Sequence, residues 1–154
     1  MADLTKRARK RLGEFLEPDE TIEVAVLCEP RGTYGPGMIG LTLATRTTDR
    51  HLAAKAAGSR TGMASTLPSS SFILAITDAR VLMSRSNGLT FAAPEPVFRH
   101  DEVFAGDLRN HGIGRRLTLV FVDGSATDVD LQRGQPIGRL VERLGAPPAA
   151  PLSS

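Results

Sequence analysis

The stretch Phe72–Ser86, FILAITDARVLMSRS, brings two apolar runs together across a turn too short to hold anything else. Phe72, Leu74 and Ile76 alternate with Ile73, Ala75 and Thr77, and Val81, Leu82 and Met83 follow at once. That is the pattern of two strands joined through Asp78-Ala79, a central hairpin around which a sheet must be built. Asp78 suits the turn because its carboxylate accepts hydrogen bonds from backbone N–H groups a residue or two further on, and Arg80 then leads the chain outward.

Before the hairpin, Leu4, Ala8, Leu12, Phe15 and Leu16 recur at helical spacing, with Lys6, Arg7, Arg9, Lys10 and Arg11 elsewhere on the wheel. Residues 3–16 therefore read as an amphipathic helix, with Asp3 near its cap and Pro18 ending it. Such a helix either lies on an acidic membrane or docks on its own domain with a solvated basic face. The apolar stripe is narrow and holds no Trp or second Phe, and Glu14, Glu17, Asp19 and Glu20 cancel the positive charge at once, which favours docking. Thr21–Cys28 alternates and is β-branched, the pattern of a first strand, which Glu29-Pro30 is expected to end. The glycines of Arg31–Gly37 lack the Gly-Lys-Ser/Thr of a phosphate loop and the strand-turn-helix frame of a dinucleotide site, so this segment reads as a connection.

Residues 36–70 form an insertion-like excursion. Ile39, Leu41 and Leu43 suggest a short strand, Asp49–Ala57 closed by Gly58 a short helix, and 58–71 an irregular loop. His51 and Lys55, at i and i+4, either meet a ligand together or stand solvated on an exposed face.

Beyond the hairpin, Ser86-Asn-Gly-Leu89 is a second turn, and Pro94 and Pro96 belong at an edge or in a loop. Val97–Val103 reads as a strand continued by Phe104–Leu108, and Arg109–Arg116 as a turn dense in positive charge. Arg116–Val122 alternates strongly, Asp123-Gly124 turns the chain, and Ser125–Leu131 returns with one half-polar face. Pro136, then Ile137, Leu140, Val141 and Leu144, then Gly145 and Pro147, mark an amphipathic helix over 135–144. The Pro/Ala/Ser tail 146–154 is expected to be disordered.

A chain of 154 residues with 41% hydrophobic and 23% charged residues fits one folded domain over 1–145. Its formal charge of +2 is too small to imply a nucleic-acid or membrane partner through a long-range field, and one Tyr without Trp leaves the arginines no aromatic platform for bases. Nucleic acid is therefore not an expected partner. The single Cys28 forms no internal disulfide and has no second Cys for a metal site. The first thirteen residues lack the apolar core of a signal peptide, and no run reaches the ~18 apolar residues of a membrane span, so a soluble cytoplasmic protein is expected. His51, His100 and His111 are scattered, without a His-x-x-x-His pair for zinc, and no Gly-x-Ser-x-Gly elbow is present. No enzymatic activity, metal or cofactor is expected, and Asp101-Glu102 beside His100 reads as a surface charge cluster.

This order of elements predicts an α+β architecture: a mostly antiparallel, strongly bent sheet or partly open barrel, capped by the C-terminal amphipathic helix, with an extra N-terminal helix. The sequence Leu74-Ala-Ile-Thr-Asp-Ala-Arg-Val-Leu82, and the pairing of Leu119-Val-Phe-Val-Asp-Gly124 with a terminal helix, resemble the bacterial pleckstrin-homology-like (PH-like) superfamily, which includes the GRAM-type relatives. The resemblance covers roughly residues 20–145 and departs from the family in the long stretch 36–70. It implies a seven-stranded bent sheet and a non-catalytic binding or scaffolding module. In lipid-binding members a basic cluster in the loops at the open end receives a phosphorylated head group, but no matching motif occurs here and no binding residue is carried over.

The expected function is thus an interaction or scaffolding module that binds a protein partner or itself. The alternative is a binding protein for an anionic small molecule or phospholipid head group, with peripheral contact to anionic lipid. For that alternative the candidate residues are Arg109, His111, Arg115 and Arg116 around the Asn-His-Gly-Ile-Gly turn, where guanidinium groups and glycine N–H groups would converge on an anion.

Overall fold

The computed structural model describes residues 4–34, 62–86 and 89–148. Seven strands follow one another as β1 (Ile22–Tyr34), β2 (Phe72–Thr77), β3 (Arg80–Arg85), β4 (Val97–Arg99), β5 (Val103–His111), β6 (Gly114–Phe121) and β7 (Ala126–Gln132). Helix α1 (Thr5–Leu12) precedes them and helix α2 (Ile137–Leu144) follows. The strands form one antiparallel sheet in the order β4-β3-β2-β1-β7-β6-β5. The sheet is not closed, so β4 and β5 are its two edges. Among the described residues no helix is long and apolar enough to cross a membrane.

Strand β1 joins two meanders because its halves have different partners. Ile22–Cys28 pairs with β2 and Cys28–Tyr34 with β7, so Cys28 stands opposite both Phe72 and Leu131. The strand does not end at Glu29-Pro30 as its sequence suggests. Among the described residues Pro30 has only β7 beside it, at a register shift between Pro30 and Gly32, and a bulge is one of the places a strand tolerates the missing N–H.

The sheet curls around its main core. Phe98 of edge strand β4 and Phe121 of β6 have ring centroids 5.2 Å apart, although five strand spacings separate them, about 24 Å in a flat sheet. Val24, Val26, Phe72, Leu74, Ile76, Leu117, Leu119 and Leu131 fill the same core, and Ile137, Leu140 and Leu144 enter it from α2. On the opposite face of β1–β3, Ala25, Ile73, Ala75 and Leu82 pack against Leu4, Ala8 and Leu12. Strand β2 is consequently buried along its whole length. The apolar stripe of α1 is therefore spent on its own sheet, while Lys6, Arg7, Arg9, Lys10 and Arg11 are exposed. The N-cap position of α1 is Leu4, without a side-chain cap, and Asp3 lies outside the described residues. A 3₁₀ turn, Gly13–Phe15, extends the helix.

On the side of β1 that faces away from β2, before β7 begins, side chains take the place of a strand. Ala25 N donates to Thr5 Oγ1 at 3.1 Å, and Arg139 Nη2 donates to the Glu23 carbonyl at 2.7 Å. Gln135 Oε1 accepts from Leu27 N at 2.7 Å, and Gln135 Nε2 donates to Leu27 O at 3.1 Å. These contacts close an edge whose peptide groups would otherwise lack partners inside the protein.

The central hairpin forms as its sequence predicts, but its polar residues act differently. Thr77 Oγ1, not Asp78, accepts from the turn amides of Ala79 and Arg80, at 3.0 and 2.7 Å. Asp78 Oδ1 instead accepts from Thr21 N, 57 residues away in sequence, at 3.1 Å. Arg80 does not lead outward. Its Nε and Nη2 donate to Glu20 Oε2 and Oε1 at 2.9 and 2.6 Å, and Thr77 Oγ1 donates to Oε2 at 2.6 Å. The Glu20 carboxylate is 1% exposed, and the Arg80 hydrogen bonds, opposed by burial, hold its pKa at about 2.

Elsewhere the elements differ from expectation at corners. Val97–Val103 is not one strand: it turns at His100–Glu102 between β4 and β5, and Phe98 rather than Val97 points inward. Arg109–Arg116 is not a broad turn. Strands β5 and β6 run through it, and only Gly112-Ile113 link them, with Gly112 at φ +59° as the first central residue of a tight hairpin requires. Helix α2 begins at Ile137, two residues after the expected start. The end of the excursion forms a 3₁₀ turn, Met63–Thr66, fixed by Met63 N donating to Asp123 Oδ2 and Ala64 N to Ser125 Oγ. The strand over Ile39–Leu43, the helix over Asp49–Ala57 with His51 and Lys55, the Asn87-Gly88 turn and the tail 149–154 lie outside the described residues.

Candidate functional site

The four residues expected to gather an anion sit at the far end of the β5–β6 hairpin, and strand alternation divides them. Arg109 opposes Arg116 and Asn110 opposes Arg115 in the ladder. Arg109, His111 and Arg116 leave one face of the hairpin, whereas Arg115 leaves the other, in phase with buried Leu117 and Leu119.

On the first face the arginines are already occupied. Arg109 donates to Asp107 Oδ2 at 3.0 Å and to Asp128 Oδ2 at 3.4 Å. Arg116 grips Asp130 with two hydrogen bonds, 2.7 and 3.3 Å, and its Nη2 donates to His111 Nε2 at 3.0 Å. Arg31 reaches Asp130 Oδ2 from β1 at 2.6 Å and also meets Glu29. Thr118 Oγ1 donates to Asp128 Oδ1 at 2.6 Å. Burial raises the pKa of Asp130, but hydrogen bonds from Arg116 and then Arg31 outweigh it, and the group titrates below its ordinary value. The result is a ladder of matched charges across four adjacent strands that ties β1, β7, β6 and β5 together.

Arg115 is different. Among the described residues its guanidinium has no hydrogen-bond or ion-pair partner, and its Nε is closed off from water. Asn110 stands directly across from it, and Arg133, in the turn after β7, donates from Nη2 to Asn110 Oδ1 at 2.8 Å. Arg133 thus reaches the cross-strand neighbour of Arg115, close to the hairpin tip. Sequence reasoning missed Asn110 and Arg133, since one signal is the β5–β6 register and the other a contact across 23 residues. A cleft of about 240 Å³ beside the hairpin is lined by Leu27, Glu29, His111, Ile113, Gly114, Arg115, Asp130, Leu131 and Gln132, and neither Asn110 nor Arg133 borders it. Ile113, at the hairpin tip, is 94% exposed.

The remaining chemistry-bearing residues are distributed through the fold. His100 Nε2 donates to the Thr77 carbonyl at 2.8 Å, Arg99 pairs with Asp101, and Glu102 accepts from Arg99 N, so this group braces the β4–β5 corner. Cys28 is fully buried, and burial pushes its thiol pKa up. Among the described residues no three His, Cys, Asp or Glu side chains group as metal ligands. A second, more open cleft of about 520 Å³ is walled by Ser70, Ser71, Arg85, Ser86, Thr90 and Phe91.

Compared with protein-family models, curated proteins and solved structures, the chain matches none. The fold and the site geometry carry the functional reading.

Proposed function

We propose that this chain is a non-catalytic interaction module of the PH-like type, cytoplasmic, binding a protein partner or a second copy of itself. Its architecture supports that reading. The four-stranded meander β1–β4 and the three-stranded meander β5–β7 join where β1 pairs with β7, and the bent sheet receives Ile137, Leu140 and Leu144 of the terminal helix as a plug. The Thr-Asp-x-Arg hairpin that carries the resemblance holds β2, β3 and the chain before β1 together through Thr77, Asp78, Arg80 and Glu20.

The observation that carries the reading is the use made of the charged groups. Glu20 and Asp130, whose pKa values fall, are engaged by arginines that join separate elements, and Asp123, also lowered, anchors Met63. What these groups supply is rigidity, and a rigid sheet with an exposed apolar residue at the end of a two-stranded arm suits recognition. Native mass spectrometry at low and moderate salt tests it. A discrete homo-oligomer, or a stoichiometric complex with a co-purified protein, is the expected result; a strictly monomeric species carrying a reproducible small-molecule adduct would replace the reading with the ligand-binding alternative.

A further inference from the structure

We propose that the tip of the β5–β6 hairpin and the cleft beside it form the contact through which two copies of this chain pair about a two-fold axis, Ile113 of each copy entering the cleft of the other. The proposal rests on the reading of the chain as a binding module and names its partner as a second copy.

Three observations carry it. Ile113 is 94% exposed, more than any other large apolar residue among those described, and it cannot fold back onto its own sheet because Gly112-Ile113 is the whole link between β5 and β6. An aliphatic side chain held in water at the end of an arm gains by any contact that covers it. Second, the cleft of about 240 Å³ lies directly beside the tip, with Leu27 and the buried Leu131 in its lining and Ile113 only at its rim. An apolar cavity of roughly 150 Å³ admits benzene, so this cleft has room for an isoleucine side chain. Knob and cleft belong to one surface patch. A two-fold axis beside the tip therefore joins knob to cleft twice, as an isologous interface requires.

Third, the two walls of the cleft are opposite in charge. Glu29, with 57% of its side chain exposed, stands on the β1 wall, and Arg115, without a partner among the described residues, stands on the hairpin wall. When each tip lies in the other copy's cleft, the hairpin wall of one copy faces the β1 wall of the other. Arg115 of one copy is then brought towards Glu29 of the second, and the same pair forms again across the axis. Arg116 and Asp130 stay bound to each other within each copy and do not compete. This complementarity of the patch with itself is what favours a second copy over an unrelated protein.

The test is sedimentation equilibrium of the full chain from about 1 µM to about 1 mM, since a contact built on one hairpin tip supports a weak dimer. A monomer–dimer equilibrium is expected. Ile113→Asp should weaken it at least about tenfold, with amide NMR spectra showing the fold retained, because the residue touches little of its own chain. Arg115→Glu and Glu29→Arg should each weaken the dimer about tenfold, and the double variant should recover most of the loss by restoring opposite charges across the axis. A damaged fold would give no such rescue. A chain that stays monomeric throughout, a dimer indifferent to Ile113→Asp, or a double variant no better than either single one overturns the contact. If the monomer still forms a stoichiometric complex with a different protein in native mass spectra, the module reading stands without this contact; if it carries only a small-molecule adduct, both fall.

Discussion

The side-chain amide of Gln135 closes both backbone groups of Leu27, accepting from its N–H at 2.7 Å and donating to its carbonyl at 3.1 Å, so one residue just before α2 replaces a missing strand beside β1. Gln135 is itself buried. Gln135→Ala leaves a donor and an acceptor unmet, and the expected cost is about 2–6 kcal/mol, from roughly 1–3 kcal/mol for each unsatisfied buried group. Gln135→Glu keeps only the acceptor and should fall between the two in urea unfolding.

Acid stability should report the Glu20–Arg80 pair. Glu20 has a folded-state pKa of about 2 against an ordinary 4.5, so its contribution is fully present above pH 4.5 and is lost as pH falls towards 2. The shift corresponds to stability on the order of 3 kcal/mol. Glu20→Gln should be less stable than the parent at pH 7, with the gap closing as both are measured at lower pH. A gap that is constant with pH would mean that the carboxylate is not held as its geometry indicates.

Two glycines give opposite expectations. A Cβ on Gly114 would lie 2.6 Å from the Leu131 carbonyl oxygen, a backbone atom that cannot step aside. Gly114→Ala should therefore cost about 1–3 kcal/mol through strain. Gly13 has a helical φ of −56° and open space around its missing Cβ. Gly13→Ala should stabilise by about 0.5–1 kcal/mol, mainly by restricting the unfolded chain. Thermal unfolding of the two variants checks both signs.

Helix α1 offers a test of where its apolar stripe is used. Leu12 is fully buried in the cluster formed with Ile22, Ala25 and Ile73. Leu12→Ala should cost about 2–4 kcal/mol in urea unfolding. A negligible cost would mean that the helix leaves the sheet and has its apolar face free for another surface.

The elements that sequence reasoning recovers are those whose signal is local. The alternation over 72–86 and 116–122 and the spacing of Ile137, Leu140 and Leu144 each follow from one element burying one face. The misread segments are those where tertiary context decides. Pro30 stays in β1 at a register shift against β7, Asp78 bonds across the fold because Thr77 already serves the turn, and His100–Glu102 carries the chain from edge strand β4 to edge strand β5. The grouping of the four residues rested on reading 109–116 as a turn: once it is read as two strands around Gly112-Ile113, alternation alone separates Arg115 from Arg109 and Arg116. Arg133 and Asn110 carried no such signal, since their contact joins the end of β5 to the turn after β7.

The most direct measurement compares two neighbours on one strand. Arg115→Met and Arg116→Met both keep the apolar stem and remove the charge, and thermal unfolding of each in phosphate-free buffer reads what that charge does for the fold. Arg116 grips Asp130 and meets His111, so its loss should cost about 1–3 kcal/mol, a fall of roughly 3–10 °C in Tm. Arg115 has no partner among the described residues, so its replacement should leave Tm unchanged or raise it. Equal losses, or a larger loss for Arg115→Met, would contradict the division of this hairpin into a face whose arginines hold the fold together and a face whose arginine does not.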